Sequence, residues 1–206
     1  MRIFVLGANG KTGVELLDLA LARRHQVTAF VRSPEKIQRR DAGLSVMRGD
    51  PRDAGAMAGA MHGHDVVVSA LGPRPREAFT RSTLLRDCAT PTVEAMRRAG
   101  VQRLSVVSSA LLFPRTGPLF ALFRLLMRPH VSDLQAMEQL VESSGLDWTI
   151  ARPPRLLKNH DEAYRSQDGG LPPGAWSMSF RAVGCFLLDA AEQRRHVRQV
   201  VGLAGT

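Results

Sequence analysis

The sequence is poor in cysteine and has no apolar run long enough to span a membrane. Its two cysteines, Cys88 and Cys185, are far apart in a chain of 206 residues. They predict neither a disulfide framework nor a metal site, so we interpret both as reduced core residues. The longest apolar run, 118–127, is interrupted by Arg124 and is far shorter than the roughly 20 residues of a bilayer span. Since no leader-like segment precedes the opening apolar strand, we expect a cytoplasmic protein without a membrane partner.

Lysine is also scarce, although the chain is strongly basic. The formal net charge is +9, and only three of the 28 basic residues are lysine. The arginines are scattered, without a run of five or six. We therefore interpret the charge as a compositional bias combined with an anionic ligand, and nucleic-acid binding is the weaker alternative.

Short apolar runs alternate with helix-length segments along the whole chain. Several runs are apolar at consecutive positions, which is typical of strands covered on both faces. We predict strands at 2–6, 26–31, 44–47, 65–70, 103–107, 147–151 and 197–201. Helices are expected at 12–22, 84–99, 131–144 and 180–192, with a capping box from Ser132 to Gln135 opening the third. The pattern predicts an α/β fold, a Rossmann-type doubly wound parallel sheet in a single domain, 1–206.

Two segments, 112–129 and 153–176, are rich in proline or glycine and are expected to be loops or lids. The apolar stretch 119–127 in the first of them contains phenylalanine and methionine, which suit a flat apolar ligand. A helix packed on the core or on a second subunit explains this stretch equally well. The oligomeric state stays open between a monomer and a homodimer.

A glycine-rich turn joins the first predicted strand to the first predicted helix. Glycines here let the backbone approach a pyrophosphate, and the helix N-terminus offers free N–H groups and a positive dipole end. A Walker loop would require glycine at position 5, which is Val5. We therefore predict a dinucleotide-binding turn formed by Gly7, Asn9, Gly10, Lys11, Thr12 and Gly13.

The second predicted strand ends at Arg32 and Ser33, and Lys36 follows closely. Domains that select NAD usually place an acidic residue at this point to bind the ribose 2′-hydroxyl. A cation instead favours a 2′-phosphate. The predicted cofactor is therefore NADP(H).

Polar or small residues follow three further strands at their carboxyl ends, where ligands of such sheets bind. Asp50 follows the third strand and is a candidate acceptor for the adenine amine. Leu71 and Gly72 follow the fourth strand, where a small residue lets the backbone approach the cofactor. Ser108 and Ser109 follow the fifth strand.

These motifs resemble the atypical short-chain dehydrogenases/reductases, within them the NmrA-like NAD(P)H-binding proteins, and most of all the biliverdin reductase B/flavin reductase type. The resemblance covers nearly the whole chain. It runs through the segments 7–13, 31–33, 49–50, 71–72, 108–112, 142–146 and 152–155.

The resemblance implies roles for further residues. Ser109 would lie beside the nicotinamide and the substrate, and Pro153 with Pro154 would line the nicotinamide side. The family's basic contacts match Arg32, Lys36 and Arg74. The flavin reductases carry a histidine after the two prolines, whereas this chain has Arg155.

The chain lacks the Tyr-x-x-x-Lys pair with which typical short-chain dehydrogenases move a proton. Tyr164 is the only tyrosine, and Asp168 stands where the lysine would be. Hydride transfer to a flavin, a quinone or a related flat aromatic acceptor is compatible with this loss, because such acceptors delocalise charge. Ser109 and Arg155 are the candidate catalytic residues. The alternative is a non-catalytic NADP(H)-sensing regulatory protein.

Overall fold

The computed structural model describes residues 1–73, 83–114 and 117–206. Its strands are β1 (Arg2–Leu6), β2 (Gln26–Val31), β3 (Leu44–Arg48), β4 (Val66–Ser69), β5 (Arg103–Val107), β6 (Asp147–Arg152), β7 (Arg155–Leu157), β8 (Tyr164–Asp168), β9 (Ser177–Ser179) and β10 (Gln199–Gly205). Its α-helices are α1 (Lys11–Ala22), α2 (Ala54–Met61), α3 (Leu84–Ala99), α4 (Gly117–Leu126), α5 (Arg128–Glu142) and α6 (Phe180–Glu192).

An eight-stranded sheet with the order β3-β2-β1-β4-β5-β6-β10-β8 forms the centre of the fold. The chain leaves β1 toward β2 and β3 on one side and resumes with β4 on the other side. The carboxyl ends of β1 and β4 therefore border the switch point at which doubly wound sheets bind ligands. All neighbouring pairs are parallel except β8, which runs antiparallel to β10 at the edge. The expected Rossmann-type α/β fold is confirmed, with this one antiparallel strand as a correction to the parallel sheet.

Strand β1 shows why the apolar runs form strands. Ile3 and Val5 are fully buried in an apolar cluster that includes α1 and α6. Phe4 and Leu6 are fully buried in a second cluster, on the opposite face, that includes α2, α3 and α5. Because side chains alternate between the two faces of a strand, a continuous apolar run supplies both helix layers at once.

The segment 112–129 is largely helical, which excludes a plain loop and agrees with the helix alternative, while its role as a lid stays a prediction. It contains α4 and the first residues of α5. Helix α5 begins at Arg128 and has Pro129 in its first turn, where proline is compatible with helix geometry. The capping box expected from Ser132 to Gln135 is therefore wrong, because Ser132 lies inside the helix.

The segment 153–176 is not a plain loop either, because it contains β7 and β8. Strand β7 pairs with β9 in a separate two-stranded sheet. Strand β8 has four exposed residues out of five and therefore lacks the apolar alternation by which strands are predicted. The helix α2 was also missed, because its Ala- and Gly-rich sequence has no clear apolar face.

Gly202 lies within β10 at a point where the chain has no room for a side chain. A Cβ on this residue would lie 1.9 Å from the backbone oxygen of Gly170. We expect Gly202→Ala to lower the free energy of unfolding by about 3 kcal/mol or more, because the backbone of Gly170 or of β10 must move to relieve the clash. Urea unfolding followed by circular dichroism measures the change.

Gly59→Ala is the matched control for this prediction. Gly59 is exposed within α2, and a Cβ there would meet nothing within 4 Å. Alanine should raise the free energy of unfolding by about 0.5–1 kcal/mol through its helix propensity. Equal stabilities of the two variants would contradict the proposed clash at Gly202.

Candidate functional site

The turn between β1 and α1 depends on two glycines that cannot carry a side chain. Gly7 has a positive φ of 80°, and a Cβ on it would lie 2.6 Å from the carbonyl group of Ala70. A Cβ on Gly13 would lie 2.2 Å from the Gly7 oxygen. Because neither glycine has a side chain, the turn can pack against the end of β4 and α1 can begin directly after it.

The N-terminus of α1 is open to a ligand. Its N-cap is Gly10, which has no side chain to accept from the first amides of the helix. The Gly10 amide itself donates to the Gly7 oxygen, at 2.8 Å, and closes the turn. An uncapped helix end with free N–H groups and a positive dipole end fits the diphosphate of a dinucleotide.

A cleft of about 480 Å³ lies in front of this turn, at the carboxyl ends of β1 to β4. The predicted residues that line it are Gly7, Asn9, Gly10, Arg32, Ser33, Lys36, Asp50, Leu71 and Gly72. The prediction missed Phe30, Val31, Pro51, Arg52, Ala70 and Leu84, which also line it. Arg52 had a usable signal, since it stands two residues after Asp50, shortly after the end of β3.

The polar residues of the cleft are arranged around its basic side. Asn9 donates through Nδ2 to the Ser33 oxygen, at 3.1 Å, and so connects the turn to the end of β2. The Asp50 carboxylate accepts from the Arg52 amide at 3.0 Å. The side chains of Arg32, Lys36 and Arg52 are exposed along the cleft, which favours an anionic ligand.

Lys11, Thr12, Gly13, Ser108 and Pro153, which were also predicted to bind the cofactor, do not line the cleft. Lys11 lies with its ammonium group 5.4 Å from the centre of the Phe180 ring. Thr12, Gly13, Ser108 and Pro153 are buried. Arg74 lies outside the described residues.

A second cavity, of about 400 Å³, lies beyond the ends of β5 and β6. It brings together both candidate catalytic residues, Ser109 and Arg155. Its other lining residues are Ala110, Leu111, Phe120, Phe123, Met127, Pro154 and Trp176. The Phe120 and Trp176 rings meet edge to face, with centroids 6.3 Å apart. An apolar, aromatic-lined cavity with a few polar groups suits a flat organic ligand.

The loop that carries Ser109 is held by hydrogen bonds from two directions. The Ser109 hydroxyl accepts from the Leu111 amide at 3.2 Å, and the Ala110 amide donates to the Pro153 oxygen at 2.9 Å. Arg124 of α4 donates through Nε to the Leu111 oxygen at 2.9 Å. Helix α4 and the Ser109 loop are therefore joined into one wall of the cavity.

A buried ion pair lies directly behind this loop. Arg152 forms a two-pronged pair with Glu138 of α5, whose side chain is only 5% exposed. The Arg152 guanidinium also stacks on the Phe113 ring, 4.7 Å from its centre. Nothing in the spacing of these residues along the sequence indicated that they meet, because the contact joins three separate elements.

Tyr164 is engaged away from both cavities. It lies in β8 rather than in a loop, and its hydroxyl donates to Asp189 at 2.7 Å. Burial, together with this carboxylate, raises the pKa of Tyr164 far above its usual value. The thiols of Cys88 and Cys185 are free and buried, and burial raises the pKa of each to about 11. None of these groups is suited to proton transfer or nucleophilic attack at neutral pH.

The sequence matches the profile of the NAD(P)H-binding family over residues 7–194. The chain belongs to this family. It is 31% identical to an uncharacterised chloroplast protein of Arabidopsis thaliana, over 75% of this chain and 59% of that protein. A Bacillus subtilis protein named as an uncharacterised sugar epimerase is 29% identical over 76% of this chain and 72% of its own length. A 3-diazoavenalumate denitrifying reductase of Streptomyces is 35% identical, over 57% of this chain and 41% of that enzyme.

Solved structures support the fold of the whole chain. An oxidoreductase from Lactococcus lactis superimposes with a TM-score of 0.85, over 100% of this chain and 91% of the other, at 18% identity. A short-chain dehydrogenase/reductase from Veillonella parvula, solved in complex with NADP, gives 0.80 over 98% and 94%, at 21% identity. The NAD(P)H-binding family and the nicotinamide cofactor predicted from the sequence are confirmed, and the closer likeness to the biliverdin reductase B/flavin reductase type stays a prediction. The interpretation as an NAD(P)-dependent enzyme and the flavin or quinone acceptor stay predictions.

Replacing Glu138 with glutamine removes the charge that balances Arg152 in a buried position. We expect Glu138→Gln to lower the free energy of unfolding by about 3 kcal/mol, because breaking a buried pair leaves one charge uncompensated. The control is Glu94→Gln, which breaks an exposed pair with Arg98 in α3 and should cost less than about 1 kcal/mol. Urea denaturation of both variants tests this, and similar losses would show that the Arg152 pair is not buried in solution.

Proposed function

We propose that the protein is an NADPH-dependent reductase that transfers a hydride to a flavin, a quinone or a related flat aromatic acceptor. The observation that carries this proposal is the pairing of two cavities at the carboxyl edge of one sheet. The basic cleft suits a dinucleotide, and the apolar cavity beside Ser109 suits a flat ring system. The similarity to a Streptomyces reductase supports the reaction class.

The composition of helix α5 supports a reduction in which no side chain of the protein donates the proton. Helix α5 contains neither tyrosine nor lysine, so the proton-transfer pair of typical short-chain dehydrogenases is missing from it. Bound NADPH would supply a hydride, and a flavin or quinone acceptor would take its proton from water. Ser109 would orient the reacting rings with its hydroxyl, and Arg155 would stabilise negative charge on the acceptor.

The basic side of the cleft supports a preference for NADPH over NADH. Arg32 follows the last residue of β2, where an acidic residue would select the ribose hydroxyl of NAD. It forms no ion pair with any residue in the ranges that the structure describes. Lys36 and Arg52 line the same cleft and would add to the positive potential around a 2′-phosphate.

Reversing the charge at Arg32 tests this preference. We expect Arg32→Asp to weaken NADPH binding about 100-fold, because a charge-assisted contact is replaced by repulsion. Binding of NADH should change less than about threefold, since NADH has no 2′-phosphate. Arg48→Asp makes the same charge change outside the cleft and should leave both affinities near the wild-type values. Calorimetric titration measures them, and equal losses for both cofactors would place Arg32 away from the 2′-phosphate.

The acceptor is tested by NADPH oxidation with FMN and with a neutral naphthoquinone. We expect both compounds to be reduced. Arg155→Gln should raise the KM for the anionic FMN about tenfold, because a charge-assisted contact is lost, and should leave the KM for the quinone unchanged. Lys158→Gln, which is exposed nearby but does not line the cavity, is the control. Absence of turnover with every flavin and quinone would exclude the reductase.

The second candidate is a non-catalytic NADP(H) sensor, which the missing tyrosine and lysine of α5 favour. A sensor would bind NADPH in the cleft but would not oxidise it in the presence of any acceptor. Calorimetric binding without turnover therefore identifies the sensor. Turnover with an acceptor excludes it.

A further inference from the structure

Helix α4 is apolar on two opposite faces. Phe120 and Phe123 of this helix line the second cavity, together with Met127, which follows its last residue. Leu122, Leu125 and Leu126 are spaced as a stripe on the other side of the helix and are 51%, 60% and 55% exposed. A helix that is hydrophobic all round is normally covered on all sides. The outer stripe of α4 is therefore a surface that requires an apolar partner.

The outer stripe continues to the mouth of the second cavity. Phe123 and Trp176 both line this cavity, and they are 42% and 49% exposed. We name Leu122, Phe123, Leu125, Leu126 and Trp176 the docking face. A partner that covers the docking face also covers the entrance through which a ligand reaches Ser109.

The charges around the docking face are positive. Among the described residues, neither the lining of the second cavity nor that of the groove beside α4 includes an aspartate or a glutamate. Arg124, Leu125 and Arg128 line one groove beside α4, and Arg155 is exposed at the cavity. The whole chain carries a formal net charge of +9.

These charges distinguish between two possible partners. A second copy of the chain would bring like charges together, which is destabilising. An anionic lipid surface attracts basic segments, and leucine and tryptophan side chains insert at the boundary between headgroups and acyl chains. A docking face of five residues is also small beside the roughly 20–30 residues that each side of a standard protein interface uses.

We propose that the docking face binds peripherally to an anionic lipid bilayer, so that the mouth of the second cavity opens toward the membrane. From the sequence we expected no membrane partner, because the chain has no spanning segment. In the described ranges, no helix is long and apolar enough to cross a bilayer. Surface docking needs no such helix. The consequence that a lipid-soluble acceptor enters from the bilayer rests on the proposed reductase function.

The test is sedimentation of the full chain with vesicles of phosphatidylcholine mixed with phosphatidylglycerol, compared with vesicles of phosphatidylcholine alone. We expect binding to the anionic vesicles, weakening with added salt. Leu125→Asp should lower the partition coefficient about tenfold or more, because an apolar side chain no longer inserts. Arg128→Glu should lower it about tenfold, since two charge units near the surface are lost.

Tryptophan fluorescence gives an independent readout of the same contact. Trp176 is exposed, whereas Trp148 is buried, so insertion should shift the emission of Trp176 to shorter wavelength.

The matched control for Leu125→Asp is Met47→Asp, which places the same charge on an exposed apolar residue of β3. This variant should bind vesicles nearly as well as the wild type. NADPH affinity and the urea midpoint verify that each variant is folded.

Three results would overturn the proposal. The first is no vesicle binding by the wild type, and the second is equal binding by Leu125→Asp and the wild type. The third is a wild-type dimer that Leu125→Asp dissociates, which would make the docking face an interface between copies. Because sedimentation requires neither NADPH nor acceptor, failure of the reductase assay leaves the docking result intact. Preferential reduction of a vesicle-bound long-tailed quinone over a water-soluble one would support membrane delivery.

Discussion

The close approach of backbone to backbone at the β1–α1 turn is the constraint on which the cofactor site depends. Gly7 lies against the carbonyl group of Ala70, and Gly13 lies against the oxygen of Gly7. Any side chain at these positions would displace α1 from the sheet. With glycine there, the uncapped N-terminus of α1 faces the switch point between β1 and β4. The helix end can then offer its amides and its dipole to a diphosphate.

The two cavities differ in their chemistry, as the proposed reductase function requires. The cleft in front of the turn is polar and basic, as an anionic cofactor requires. The cavity beside Ser109 is apolar, as flat aromatic rings require. Helix α4 forms a wall of the second cavity and is held to the Ser109 loop through Arg124. In the proposed reductase, the orientation of the acceptor would therefore depend on the same short helix whose outer face is exposed.

Helix α4 also exposes apolar side chains on its outer face. Three leucines on a helix of ten residues face outward, and Arg124 and Arg128 line the groove beside them. Such a surface is costly to leave in water, because exposed apolar area orders or excludes solvent. Its continuity with the cavity mouth connects the question of what covers α4 to the question of how the acceptor arrives.

The sequence alone determined most strands of the central sheet, four of the helices that cover it and the glycine-rich turn between β1 and α1. Apolar runs such as β1 are local patterns, and the glycines at positions 7, 10 and 13 act on their immediate neighbours. The residues at strand ends, such as Arg32 and Asp50, were found because parallel strands bring their carboxyl ends to one edge. These features follow from periodicity and from the connection rules of the fold, which need no knowledge of distant contacts.

Only the tertiary structure decided the walls of the second cavity. Trp176 reaches Phe120 across more than fifty positions of sequence, and the Glu138–Arg152 pair closes behind a loop from a third element. The antiparallel strand β8 has no apolar alternation of its own. It forms through pairing with β10 at the sheet edge, which a local pattern does not predict. The sequence left helix α4 open between a loop and a helix, since its apolar residues surround the helix and leave no single-sided pattern. Long-range packing, unlike periodicity, leaves no mark on neighbouring residues, and for that reason it could not be predicted from one sequence.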